Sequence, residues 1–249
     1  FSVHAAAYSQ QPQPDASLLT LERIFSSGDL SPKGIGGFRW LKSGDGYSKL
    51  ERSTTVEGGQ DLVSYDAATN QRTVLLSAEK LIPKGESKPL PINGYEWSAD
   101  NTQMLIYTNS KKVWRLNTRG DYWVLDLKAN TLKKLGGADA KPSTLMFAKF
   151  SPDGQRAGYV RENNIYVENL FGDSKVTKLT TDGSRYIING TFDWVYEEEL
   201  GLQDGWRWSP DGERIAYWQL DATGVRDFLL INSTDSLYSF TIPVQYPKA

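Results

Sequence analysis

Hydrophobic and polar residues alternate over short stretches through most of the chain, and turn residues interrupt the alternation at recurring positions. The segment "RWSPDGERIAYWQL" at 207–220 matches "KFSPDGQRAGYVRE" at 149–162 and, more loosely, "EWSADNTQMLIYTN" at 96–109. Each carries an aromatic, then a Ser-x-Asp turn, then an alternating run with the period of a half-buried strand. Pro at the second turn position presets φ, and Gly after Asp supplies a permissive backbone, so the turn is tight for a physical reason. A second signature follows each turn. "LVSYDAATNQRTVLL" at 62–76, "YWVLDLKANTLKKL" at 122–135 and "IYVENLFGDSKVTKLT" at 165–180 each read strand, polar turn, strand. Together the two signatures predict a recurring unit of about four strands.

The aromatics that open the units are Trp40, Trp97, Phe150 and Trp208, separated by 57, 53 and 58 residues. That period exceeds the usual WD-type repeat, which predicts insertions in some units. Four-stranded units in tandem predict an all-β chain and a β-propeller, which buries its sheet faces between neighbouring blades. The competing reading is a β-sandwich with accidental internal similarity. A propeller must close, because an open ring leaves sheet faces unprotected. Three full units, with the sequence ending within the fourth or just after it, fall short of the larger rings, so the expectation is the leading part of a longer propeller. The organisation read here is a tail over 1–18 and a partial propeller over 19–249, with a short helical insertion near residue 195.

Composition narrows the chemistry. With 13 Tyr, 9 Phe and 8 Trp the chain can bury a sizeable core. A net charge of −2 does not favour a nucleic-acid partner, which would want a basic face. No apolar run approaches the length of a membrane span. Cysteine is absent, which removes disulfides, thiolate metal sites and a cysteine nucleophile. The one histidine, His4, stands in the irregular start "FSVHAAAYSQQPQPDAS", a poor place for a triad or zinc ligand. No Gly-x-Ser-x-Gly elbow occurs either. No cofactor or metal is expected. Ala5 to Ala7 offers the A-x-A spacing of a signal-peptide cleavage site, although most of the apolar segment that should precede it is missing.

Against this strand-rich background, "TFDWVYEEEL" at 191–200 stands apart. Three adjacent glutamates are ordinarily a solvated face or the acidic first turn of a helix. Here they follow Asp193, Trp194 and Tyr196 and lie between two unit signatures, where a short helix would interrupt the strand rhythm. Neighbouring carboxylates repel unless a cation offsets them, and two converge more readily from a helical turn than from a strand. A primary ammonium suits such a pair, since it brings one charge and three donors. The residues therefore allow a site that captures an amino terminus.

"DWVYEEE", with "LTLERIF" at 19–25, "VWR" at 113–115 and "YPKA" at 246–249, resembles dipeptidyl peptidase IV and its relatives in the prolyl oligopeptidase clan. The resemblance runs from about Leu19 to Ala249; the glutamate string is specific, whereas the Ser-Pro-Asp-Gly turns occur in many propellers. It implies an eight-bladed N-terminal propeller followed by an α/β-hydrolase domain with a Ser-Asp-His triad, releasing Xaa-Pro or Xaa-Ala dipeptides from peptide amino termini. By position, Glu198 and Glu199 correspond to the glutamates that bind the substrate's α-ammonium, and Arg115 to the arginine that binds the carbonyl of its first peptide bond. Arg115 would also lower the cost of neighbouring carboxylates. Its bland alternative is a surface arginine lying over Trp114. Glu197 is read as supporting or solvated, and Asp193, Trp194 and Tyr196 as structural.

The resemblance leaves the catalytic domain outside this sequence, so no triad residue is assigned and the chain alone is expected to be inactive. The implied partners are peptides with a free amino terminus, the hydrolase domain of the same protein, and a second copy in the full-length protein. Asn189 in "NGT" and Asn232 in "NST" fit the N-glycosylation pattern. The lack of cysteines, which eukaryotic extracellular members generally carry in the propeller, points to a periplasmic or secreted bacterial protein. Two other readings stand beside this one: a non-catalytic module that binds amino termini, and an interaction scaffold whose glutamates are merely solvated.

Overall fold

A computed structural model describes residues 17–32, 34, 36–234 and 237–246. His4, Ala5 to Ala7 and the last three residues of "YPKA" lie outside the described residues. The described residues form antiparallel strands with two short helices, α1 (Leu21–Phe25) and α2 (Trp194–Leu200), and one 3-10 turn over Ala78–Leu81.

Three four-stranded meanders follow one another. The first contains β1 (Phe38–Trp40), β2 (Gly46–Arg52), β3 (Gln60–Asp66) and β4 (Arg72–Leu76), paired in chain order. The second contains β5 (Gly94–Trp97), β6 (Gln103–Lys111), β7 (Arg119–Asp126) and β8 (Thr131–Lys134). The third contains β9 (Leu145–Phe150), β10 (Arg156–Arg161), β11 (Asn164–Asn169) and β12 (Val176–Lys178), and its ladder joins that of the second at the pair Gly120–Leu145. Trp40, Trp97 and Phe150 each end the first strand of their unit, where the sequence placed them.

The Ser-x-Asp turns behave as their chemistry predicts. The hydroxyls of Ser98, Ser151 and Ser209 donate to Asp100, Asp153 and Asp211, and each serine oxygen accepts a backbone N–H from the strand that follows. The left-handed position falls on Asn101, Gly154 and Gly212, residues that tolerate it.

Burial lies between the units. On β6, Met104 and Ile106 pack with Leu62, Leu76 and Leu81 of the first unit, while Leu105 between them packs with Tyr159 and Tyr166 of the third. Adjacent strand residues point to opposite faces, so the middle unit is covered on both. Val160 and Ile165 of the third unit in turn pack against Trp206 of the next.

The fourth unit departs from the meander. β13 (Ile187–Asn189) pairs with β16 (Gln219–Asp221), and β14 (Trp206–Trp208) with β15 (Ile215–Tyr217). Trp218, between β15 and β16, accepts from Gly190 N–H and donates to Gly205 O, and Gly205 N–H donates to Gly190 O. β13 and β14 are thus two halves of one edge strand, and the segment between them is an excursion that carries α2. A separate hairpin, β17 (Asp227–Asn232) with β18 (Phe240–Gln245), follows.

Candidate functional site

The excursion folds as a helix because its ends are specified. Asp193 accepts from Tyr196 N–H at 3.1 Å and caps the N-terminus. Gly201, at φ 64°, closes the C-terminus in the left-handed conformation that glycine tolerates best. Phe192 stacks on Tyr196, and Trp194 meets Tyr246, so the aromatics of the string are packing residues, as expected.

The opposing element is the tip between β6 and β7, which carries Trp114 and Arg115. Arg115 Nε lies 2.5 Å from Glu198 Oε2. The Glu198 side chain is 7% exposed and that of Arg115 is 77% exposed. The ion pair therefore joins a sunken carboxylate to an arginine whose terminal nitrogens remain available. Glu198 Oε1 is buried with no hydrogen-bond partner. Glu197 does something else: its Oε1 accepts from the backbone N–H groups of Arg115 (3.1 Å) and Leu116 (3.2 Å). Glu199 is exposed, with no hydrogen bond or ion pair to any described residue. The structure thus brings Arg115 and Glu198 together, adds Glu197 to them, and leaves Glu199 at the rim.

A third anchor holds the strand after α2. Asp204 accepts from Lys149 Nζ of β9 at 2.6 Å and pairs with Arg207 at 2.9 Å. Burial pushes the Lys149 ammonium down to about 8, with Asp204 opposing that shift. Its Nζ also sits 4.1 Å from the Trp206 ring centre. Lys149 and Asp204 border a cavity of about 230 Å³ shared with Arg39, Tyr95, Tyr107 and Tyr122. Sequence reasoning passed over this cluster. A signal existed: the residue before each unit-opening aromatic is charged, as Arg39, Glu96, Lys149 and Arg207.

Asn189 is fully buried, and its amide nitrogen donates to Asn163 O and Asp182. In this fold it is a strand-locking residue with no room for a glycan.

Residues 98–249 match the family described as the dipeptidyl peptidase IV (DPP IV) N-terminal region. The chain is 32% identical over 190 residues to dipeptidyl aminopeptidase B of Saccharomyces cerevisiae, covering 74% of this chain and 22% of that protein. It is 29% identical over 237 residues to dipeptidyl peptidase 4 of Trichophyton rubrum, covering 93% of this chain and 28% of that one. Its structure is similar to the crystal structure of Porphyromonas gingivalis dipeptidyl peptidase 4, with a TM-score of 0.76 and 29% identity over 93% of this chain and 31% of that chain. The chain therefore spans about a fifth to a third of the relatives it matches. On its sequence and its sheet architecture, this chain belongs to the dipeptidyl peptidase IV N-terminal region family.

Proposed function

We propose that this chain is the leading propeller portion of a dipeptidyl peptidase IV-like serine peptidase, and that it anchors the substrate's free amino terminus while an α/β-hydrolase domain performs the cut. The observation that carries the reading is Glu198: one carboxylate oxygen pairs with Arg115, and the other is buried and unpartnered. A buried acceptor left unmade is costly, and a substrate ammonium would satisfy it. Glu199, one residue on and free, supplies a second carboxylate to the same three-donor group. Held by its Nε, Arg115 keeps its terminal N–H groups for the carbonyl of the first peptide bond. Anchoring the ammonium at a fixed point then measures two residues to the scissile bond. The units whose cores lie between successive sheets support a propeller, with blades stacked face to face. The same reading places the protein in the periplasm or outside the cell.

The test is Glu198→Gln in the complete polypeptide, assayed with a glycyl-prolyl anilide bearing a free amine and with its N-acetyl form. Loss of a buried charged partner predicts a fall in kcat/KM of about 30-fold or more, the low end for truncating such a pair. The N-acetyl substrate should be poor for both proteins. Unchanged kinetics in Glu198→Gln would refute the anchoring role. Arg115→Ala should lose less, felt partly in KM, because the carbonyl contact and the ion pair to Glu198 go while both carboxylates remain to hold the ammonium.

A further inference from the structure

We infer that Glu197 is a positioning residue: by accepting both Arg115 N–H and Leu116 N–H it fixes the β6–β7 tip against α2 and so sets where the Arg115 guanidinium stands. The inference rests on the reading of Arg115 as a substrate contact, and gives the first glutamate of the string a task distinct from the other two.

The tip is held at its base by Tyr107, whose hydroxyl donates to Asn117 O at 2.8 Å and Arg119 O at 3.0 Å. Within the tip, Val113 N–H and Thr118 N–H both donate to Leu116 O at 3.1 Å. Those bonds shape the loop, but none ties its apex to another element. The apex itself carries Leu116, half exposed, and Arg115, whose side chain is mostly in solvent. Among the described residues, Glu197 and Glu198 make the bonds between this apex and α2. A guanidinium tethered only through its side chain could swing with the backbone that bears it. Two consecutive N–H groups on one carboxylate oxygen remove that freedom, and bonds to an ionised acceptor are stronger than neutral ones. Consecutive helical residues lie about 100° apart, so neighbouring side chains leave the helix in different directions. Glu197 can therefore reach the tip backbone while Glu198 meets the Arg115 side chain. The spacing between ammonium pocket and carbonyl donor becomes a property of two packed elements rather than of one flexible side chain.

A double-mutant cycle in the complete polypeptide tests this, with the same glycyl-prolyl anilide as substrate. Glu197→Ala should lower kcat/KM by about tenfold, the scale of one or two charge-assisted bonds acting through geometry. In an Arg115→Ala background the same substitution should change kcat/KM by less than about twofold, because the group it positions is gone. Glu197→Gln keeps an oxygen that can accept both N–H groups and should recover most of the alanine loss. Hydrogen exchange at the Arg115 and Leu116 amides gives a second readout, faster in Glu197→Ala and near wild type in Glu197→Gln. Equal losses in both backgrounds, or unchanged exchange at these amides, would overturn the inference. Failure of the anchoring role looks different: it appears as normal turnover in Glu198→Gln, and amide exchange still decides whether Glu197 holds the tip.

Discussion

The buried lysine that braces the strand after α2 makes a prediction with a definite sign. Lys149 has a side chain 19% exposed, pairs with Asp204, and is pushed by burial to about 8. Glu96 and Asp204 oppose that shift and Arg207 adds to it. An unfolded lysine titrates near 10.4. Between the two values the unfolded chain holds a proton that the folded chain has shed, so stability rises with pH across that window. The cost of burying the ammonium is fully present below about pH 8 and is relieved as pH climbs toward about 10.4. At 1.36 kcal/mol per pH unit the gap is worth about 3 kcal/mol, most of it recovered between about pH 7 and 10. Urea unfolding of the wild type and of Lys149→Met at both ends of that range isolates the effect, because other titrations cancel in the difference. The wild type should gain about 2–3 kcal/mol on the variant as pH rises. A constant difference would refute the burial argument. A gap moving the other way would mean that the Asp204 pair outweighs desolvation.

Two further outcomes follow from packing and charge. A Cβ on Gly158 would stand 2.6 Å from Trp206 Cη2 and 3.2 Å from Trp208 Cζ2, so Gly158→Ala should destabilise by about 1–3 kcal/mol in chemical denaturation; wild-type stability would mean that the third and fourth units do not meet as described. Burial pushes Glu51 up, but bonds from Tyr65, Lys49 and Arg72 outweigh it and hold the carboxyl at about 2, below its ordinary 4.5. Its stabilising share is present above the ordinary value and lost as pH falls toward 2, so Glu51→Gln should flatten the acid limb of a stability–pH profile. An unaltered limb would count against that cluster.

Much of this protein was legible along the chain because its information is local. Alternation set the strands, since a half-buried strand needs a period of two, and the Ser-x-Asp turns carry their own hydrogen bonds within six residues. The unit openers Trp40, Trp97 and Phe150 fell where the repeat placed them, and Asp193 and Gly201 bounded α2 by capping rules that act at single positions. The glutamate string also identified the family in advance. What the chain order could not contain was which partner each glutamate meets. Arg115 and Glu197 are 82 residues apart, and only the return of the β6–β7 tip to an excursion from another unit brings them together. The same applies to Lys149 and Asp204, whose pairing depends on the third unit packing against the fourth. Residue type and spacing specify strands, turns and caps because those depend on neighbours. Three adjacent and identical carboxylates acquire three environments, one on backbone, one half-satisfied beneath an arginine and one in solvent, because a helix points them apart and the fold decides what waits in each direction.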